Sequence, residues 1–324
     1  MPDLEKLVVE VGERAILETS FKLVPLRDVC VMHGIHASRD ARPYRTVIDY
    51  LNSTVDVRIA VKGLAPCATD VSCNVKTLIV IPHRGSLSLL EQCLNSLSSV
   101  NAEVAINFDE EITRSHSLLM ERFPLYLFFS SVDPPRGPYA FREYASMHLS
   151  QEYIVFMDSD DLCVDGRVDR LLSYLIANQL DIVGSSEIRL DQVNQTIVEV
   201  QYPSDVNAAL RRRVAFPQLF PTCAMSRDAF KTSMGFDTCL SYAADTQFLL
   251  RSSLLLNVGN VDEPLYLRRV LSGRLTTSPL TMLESPRRKQ LLAQWKSDFA
   301  LSSYSGRIQG SLIPGKCSHE FKKL

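Results

Sequence analysis

The segment YIVFMDSDDLCVDG, residues 153–166, sets Asp158, Asp160 and Asp161 side by side at the end of an apolar run. Carboxylates that close raise one another's pKa and cost free energy unless a cation or strong donors compensate. The stretch therefore asks for a metal, a proton or open water. Hard oxygen ligands suit Mg2+ or Mn2+, which proteins commonly hold with one or two carboxylates while substrate phosphates complete the shell. Asp160 and Asp158 are the candidate metal ligands. The bland alternative is a solvated acidic turn capping the next helix, a role that suits Asp161 or Asp165.

The elements that must position these carboxylates can be read from periodicity. TLIVIP, EVAINF, LYLFF and YIVFM are short apolar runs, and SLSLLEQCLNSLSSV, EEITRSHSLLMERF and PYAFREYASMHLS alternate with them as amphipathic helices. In the first helix Leu90, Leu94 and Leu97 share a face, with Ser88 and Glu91 as a capping box. VDGRVDRLLSYLIANQ aligns Val168, Leu171, Leu172 and Leu175 before the strand DIVGSS. Apolar strands alternating with amphipathic helices predict an α/β fold with a mainly parallel sheet covered on both faces. Ligands of such sheets sit at the carboxyl ends of the strands, where Pro82, Asp109 and Asp158 fall. Beyond residue 190 the alternation weakens.

Composition narrows the classes. The 324 residues are 46% hydrophobic and 22% charged, with a net charge of −2, which argues against binding to nucleic acid driven by overall charge. Arg211, Arg212 and Arg213 read as a solvated turn that an anionic acceptor would also suit. The apolar runs are far shorter than the about 20 residues of a membrane span, and the start has no signal-like pattern. A cytoplasmic protein follows as the expectation, its membrane contact at most peripheral. Cys30, Cys67, Cys73, Cys93, Cys163, Cys223, Cys239 and Cys317 form no CxxC pair and are expected to be reduced and mostly buried. No HExxH or HxH suggests zinc. Three units are expected: an extension or small subdomain over 1–72 that positions a partner or the acceptor, a main domain over 73–283, and a helix and tail over 284–324 with Trp295 as packing. The stretch APCATDVSCN reads as a linker.

Four segments in order carry a resemblance: TLIVIPHRGSLSLLEQCLNSL, FREYASMHLSQEYIVFMDSDD, FPTCAMSRDAFKTSMGFDTCLSYAADTQFLLR and PLYLRRVLSGRLTTSP. From about Thr77 to Thr277 the chain resembles a family 2 glycosyltransferase of the GT-A fold. The resemblance implies a hexosyltransferase-like enzyme with a nucleotide-sugar donor, a UDP-sugar first among them, and a divalent metal, Mn2+ or Mg2+. Its acceptor is an unidentified glycan, lipid-linked molecule or protein. Carried over residue by residue, Pro82, His83 and Arg84 embrace the nucleoside, Asp109 accepts from the base and Arg142 reaches the nucleotide. Asp158, Ser159 and Asp160 meet the donor, Asp158 and Asp160 through ribose and metal. In an inverting transfer Asp245 takes the acceptor's proton. Plainer readings stand beside these: a helix cap shared with Glu110 for Asp109, a solvated helix arginine for Arg142, and a helix cap for Asp245.

The chain also departs from the family pattern. Ala244 replaces the first acid of the pair, Met234 replaces the glycine before GFD, and residues Val270 to Arg274 fill the late serine and histidine positions. Three other classes compete. A haloacid-dehalogenase-like phosphohydrolase would use the first aspartate as nucleophile, but Leu162 stands where it wants a small hydroxyl residue or valine. A nucleotidyltransferase wants a glycine-rich basic loop, of which PHRGS is a poor version. The third is a degenerate GT-A binding protein without activity.

Overall fold

The chain is described from a computed structural model, which covers residues 6–11, 15–20, 51, 57–61, 75–214, 216–275, 277–282 and 284–324. Strands β1 (Lys6–Val11), β2 (Ala15–Ser20) and β3 (Val57–Val61) form an antiparallel sheet in the order β2-β1-β3. The expected linker over 65–74 and the rest of the 1–72 extension lie outside the described residues.

In β4 (Thr77–His83), Leu78 and Val80 enter one apolar cluster while Ile79 and Ile81 enter another, and all four are fully buried. Side chains alternate across a strand, so burial on both faces demands a helical layer on each. The parallel strands β4, β5 (Glu103–Phe108), β6 (Leu127–Ser131) and β7 (Tyr153–Phe156) make this half of the sheet. Helices α1 (Leu87–Asn95) and α2 (Arg114–Arg122) contribute Leu90, Leu94 and Leu119 to one layer. Helix α3 (Pro138–His148) contributes Phe141 and Ala145 to the other.

Beyond β7 come β8 (Leu162–Cys163), α4 (Arg167–Ala177), β9 (Ile182–Asp191), β10 (Thr196–Val200) and α5 (Val206–Arg211). Then follow β11 (Ala224–Ser226), α6 (Arg227–Thr232), α7 (Ala244–Leu255), β12 (Val258–Val270), α8 (Pro286–Ser305) and β13 (Phe321–Lys323). The sheet runs β13-β6-β5-β4-β7-β11-β9-β12-β8, with β10 paired to β9. It is mixed past β7, since β11 lies antiparallel to both β7 and β9. Helix α4 lays Val168, Leu171, Leu172 and Leu175 on the α1 side, as its spacing predicts. Phe230, Phe248 and Trp295 fill the α3 side. Among the described residues no helix is long and apolar enough to cross a membrane.

Two readings need correction. The cap of α1 is Ser86, whose hydroxyl accepts from the Leu89 amide at 3.5 Å, so the box of Ser88 and Glu91 does not form. The helix starts earlier because Ser86 directly follows Gly85, whose φ of 115° turns the chain out of β4. The second concerns the cysteines: Cys239 and Cys317 are joined, although Cys93, Cys163 and Cys223 are free and buried as expected. The pair is 78 residues apart and therefore invisible to local spacing. It fastens a tail that Thr238 also holds, donating its hydroxyl to the Cys317 carbonyl at 3.0 Å and its amide to Gly315 O at 3.0 Å. Closing a loop of that length restricts the unfolded chain, so Cys239→Ser is expected to cost about 2–4 kcal/mol in oxidising buffer and nothing further under reductant. Paired thermal melts with and without dithiothreitol check this.

Candidate active site

Three neighbouring parallel strands deliver the site. Where β4, β5 and β7 end, the chain passes into a crevice, and the Asp109 amide still donates to His83 O at 2.8 Å. A cavity of about 610 Å3 opens there, bordered by Pro82, Arg84, Asp109, Arg142, Asp158, Ser159, Asp160 and Asp245. Every sequence-derived site residue except His83 reaches its wall.

The acidic loop is pinned from behind by β12. The Tyr266 hydroxyl donates to Asp161 Oδ2 at 2.7 Å and accepts the Asp158 amide at 3.1 Å, while the Arg269 amide donates to Asp161 Oδ1 at 2.7 Å. Asp161 is thus a buried anchor, 2% exposed, and not the solvated cap that its sequence position suggested. No side chain caps α4, whose N-cap is Gly166. Burial, then Asp160 and Asp158, push the Asp161 carboxyl well above the usual range. Beneath the loop the buried Arg167 donates to Phe156 O and Pro221 O, both at 2.8 Å, and stacks 4.9 Å from the Tyr266 ring.

Asp158 and Asp160 face the cavity, and guanidinium groups meet them. Arg142 pairs with Asp158; it is 3% exposed and lies 5.7 Å from the Tyr139 ring and 5.4 Å from the Phe220 ring, so it is no solvated helix arginine. Arg274 Nε stands 3.2 Å from Asp160 Oδ2, and Arg269 Nε donates to the Asp160 carbonyl. Arg274 belongs to the stretch that departs from the family pattern, so that departure supplies a cation to the acidic motif. Burial and Asp158 nevertheless raise the Asp160 carboxyl, with Arg274 and Arg269 opposing. Two carboxylates bordering one cavity offer oxygen donors of the kind a divalent cation takes, and in this structure a guanidinium meets each of them. Among the described residues no group of three or more His, Cys, Asp or Glu side chains is gathered for an ion, so substrate oxygens would have to complete its shell.

The loop after β4 is braced by its neighbours. His83 Nδ1 lies 2.9 Å from Ser159 Oγ, and Glu110 Oε1 accepts from the Gly85 amide at 2.9 Å while lying 3.4 Å from His83 Nε2. Burial, then His116 and Arg274, lower the His83 pKa to about 3. Asp109 caps no helix, since the N-cap of α2 is Thr113. Its carboxylate accepts from the amides of Arg136 at 2.8 Å and Gly137 at 2.7 Å, fixing the entry to α3. Gly137, at φ 83°, makes that entry possible.

Helix α7 presents Asp245 in its first turn, after Ala243 at a left-handed φ of 64°. One oxygen accepts from the Thr246 amide at 2.9 Å, and the carboxylate stands near the buried Tyr139 phenol. Burial, then Asp245, raise the Tyr139 phenol, which keeps its proton. Ala244 is fully buried, so an acid there would point into the core. Sequence reasoning missed Tyr139, Tyr266, Arg269 and Arg274. For Arg269 and Arg274 the signal was the density of arginines in LRRVLSGR; the others left none.

A cavity of about 610 Å3 at the carboxyl ends of β4, β5 and β7, within a mixed sheet flanked by helices, goes with a GT-A-like fold. Residues 78–232 match the model of Glycosyl transferase family 2, and the chain carries a glycosyltransferase domain of that family. Among solved structures, S. aureus TarS 1-349 in complex with UDP-GlcNAc aligns at TM-score 0.53 and 18% identity, over 70% of this chain and 73% of that one. The same protein in complex with UDP aligns at TM-score 0.51 and 17% identity, over 71% and 72%. The larger TarS structure is covered over 44% of its length. Among curated proteins no sequence matches significantly.

His83 makes this site acid-sensitive. A histidine held neutral in the fold takes its proton in the unfolded chain first, so stability is full above pH 6.5 and declines as pH falls from there toward about 3. The slope reaches at most about 1.4 kcal/mol per pH unit. His83→Asn is expected to flatten this dependence by roughly 2 kcal/mol between about pH 7 and 4.5. Urea unfolding at a series of pH values measures the difference.

Proposed function

We propose that the chain transfers a sugar from a UDP-sugar to an acceptor hydroxyl, with inversion and with Asp245 as general base. The observation that carries this reading is the meeting of Asp109, Arg142, Asp158, Asp160 and Asp245 around one cavity of about 610 Å3. The UDP-GlcNAc and UDP complexes of the structurally similar TarS support the donor class. The family match favours this reading over the phosphohydrolase alternative.

In the reaction the acceptor oxygen forms a bond to the anomeric carbon while the bond to the donor phosphate breaks, and the electron pair leaves with the nucleoside diphosphate. Arg142, Arg269 and Arg274 bring guanidinium groups to the wall where that charge collects. Asp158 and Asp160 are the residues that would hold a divalent ion, which as a Lewis acid adds to the same stabilisation. Asp109 holds the loop entering α3, and with it Arg142, in register with the acidic loop. Asp245, held in the first turn of α7 with one oxygen on the Thr246 amide, takes the acceptor's proton.

Asp245→Asn keeps the size and removes the base. Transfer is expected to fall by roughly 10²–10⁴-fold with nucleotide-sugar affinity near its original value. Near-normal transfer, measured beside donor binding by calorimetry, refutes the assignment. Asp160→Asn is expected to lower Mn2+-dependent UDP affinity by about tenfold while thermal stability holds. Unchanged affinity in the folded variant removes Asp160 from the ligand set.

A further inference from the structure

A second cavity, of about 540 Å3, lies beyond Asp245 and shares Asp245, Arg268 and Arg288 with the first. Asp245 therefore borders both spaces. The walls of the second are chiefly apolar, built from β10, α5, α7 and α8 by residues such as Val200, Leu210, Leu249 and Leu292. Val214 and Phe216 stand at its edge with 41% and 49% of their surface exposed, and Phe216 holds a left-handed φ of 52°. A bulky residue rarely adopts that conformation without a reason in its surroundings.

Charge in this cavity is one-sided. Arg189, Arg268, Arg288 and Lys296 line it, against the carboxylates of Asp191 and Asp245. Glu187, fully buried behind the wall, accepts from Arg189 Nε at 2.9 Å, lies 3.8 Å from Arg268 and accepts from the Tyr202 hydroxyl at 3.1 Å. One carboxylate thus fixes two guanidinium groups. Arg288 is 6% exposed and lies 5.9 Å from the Tyr242 ring; its Nη1 donates to Thr281 O at 2.8 Å, and its Nε has no hydrogen-bond partner. Among the described residues no carboxylate lies within ion-pair distance of Arg288 or Lys296. Lys296 is exposed, but Arg288 is a buried cation without a counter-charge, which is costly, and an anionic ligand relieves it.

We propose that this second cavity is the acceptor site, and that its ligand is an amphiphile: an apolar body bearing an anionic group, phosphate or carboxylate, close to the hydroxyl that receives the sugar. The apolar body packs between α5, α7 and α8, the anion meets Arg288 and Lys296, and the hydroxyl comes to Asp245. This rests on the glycosyl-transfer reading for the role of the ligand, though not for its chemistry.

The test uses the full chain and calorimetric binding of decyl phosphate, naphthyl phosphate, inorganic phosphate and decyl maltoside, each with and without saturating UDP to fill the donor cavity. Decyl or naphthyl phosphate is expected to bind about tenfold or more tighter than inorganic phosphate and than decyl maltoside, with UDP present. Which of the two binds better assigns an aliphatic or an aromatic body. Lys296→Glu and Phe216→Asp, the second of a type that tolerates a left-handed backbone, are each expected to weaken that binding by about tenfold and leave UDP affinity unchanged. Equal binding of decyl maltoside overturns the anionic group, and equal binding of inorganic phosphate overturns the apolar body. UDP bound without either organic phosphate overturns the acceptor site and leaves the donor reading standing. Organic phosphate bound without UDP does the reverse.

Discussion

The phenol of Tyr266 holds the acidic loop in place, and the rest of the site depends on it. It accepts from the Asp158 amide, donates a hydrogen bond to Asp161 and lies over the Arg167 guanidinium. With Asp161 turned inward, Asp158 and Asp160 are left to face the cavity. A buried carboxylate stripped of its donor carries the full desolvation penalty, so the anchor is strong because its loss is expensive. Arg167 closes the stack from below through carbonyls and an aromatic face, with no ion pair to a carboxylate among the described residues.

Around this anchor the arginines are sorted by the pleat of β12. Arg268 and Arg269 are neighbours in sequence and point apart, one toward Glu187 and one toward the acidic loop and Gln92. A single strand thereby feeds positive charge to two adjoining cavities, and Asp245 lies between them. Crowded aspartates ask for compensation, and in this chain guanidinium groups from α3, from β12 and from the loop after it answer.

What could be read in the sequence was local. The apolar strands, the Val168 to Leu175 face and the carboxyl-end placement of Asp109, Asp158 and Asp160 all follow from periods of two and about 3.6 residues. Arg142 was named through the family resemblance, and its pairing with Asp158, 16 residues on, came only with the fold. Tyr266 was not named, because its bond to Asp161 spans 105 residues and a tyrosine in a strand looks like any packed aromatic. The antiparallel turn of the sheet escaped because β11 has 3 residues, too few to show alternation. The Ser88 box failed because the helix begins at Leu87, which puts Ser88 inside its first turn, and the backbone exit from β4 favours Ser86 as the cap.

Glu143 accepts from the Phe236 amide at 2.8 Å and pairs with Lys316, joining α3, the GFD turn and the tail. Its carboxylate lies so close to Gly235 that an added Cβ would fall 2.2 Å from Oε2, and Gly235 is left-handed at φ 63°. Met234, one residue earlier, is left-handed too, at φ 61°, with its side chain 38% exposed. Two adjacent positions of nearly the same backbone shape therefore have opposite mutational tolerance. A side chain at 235 meets the same strain and must also displace the Glu143 carboxylate, whereas 234 accepts one at a cost of about 1–2 kcal/mol in backbone energy. A glycine exchanged for methionine at 234 changes how the turn is stabilised and leaves the neighbouring chemistry untouched.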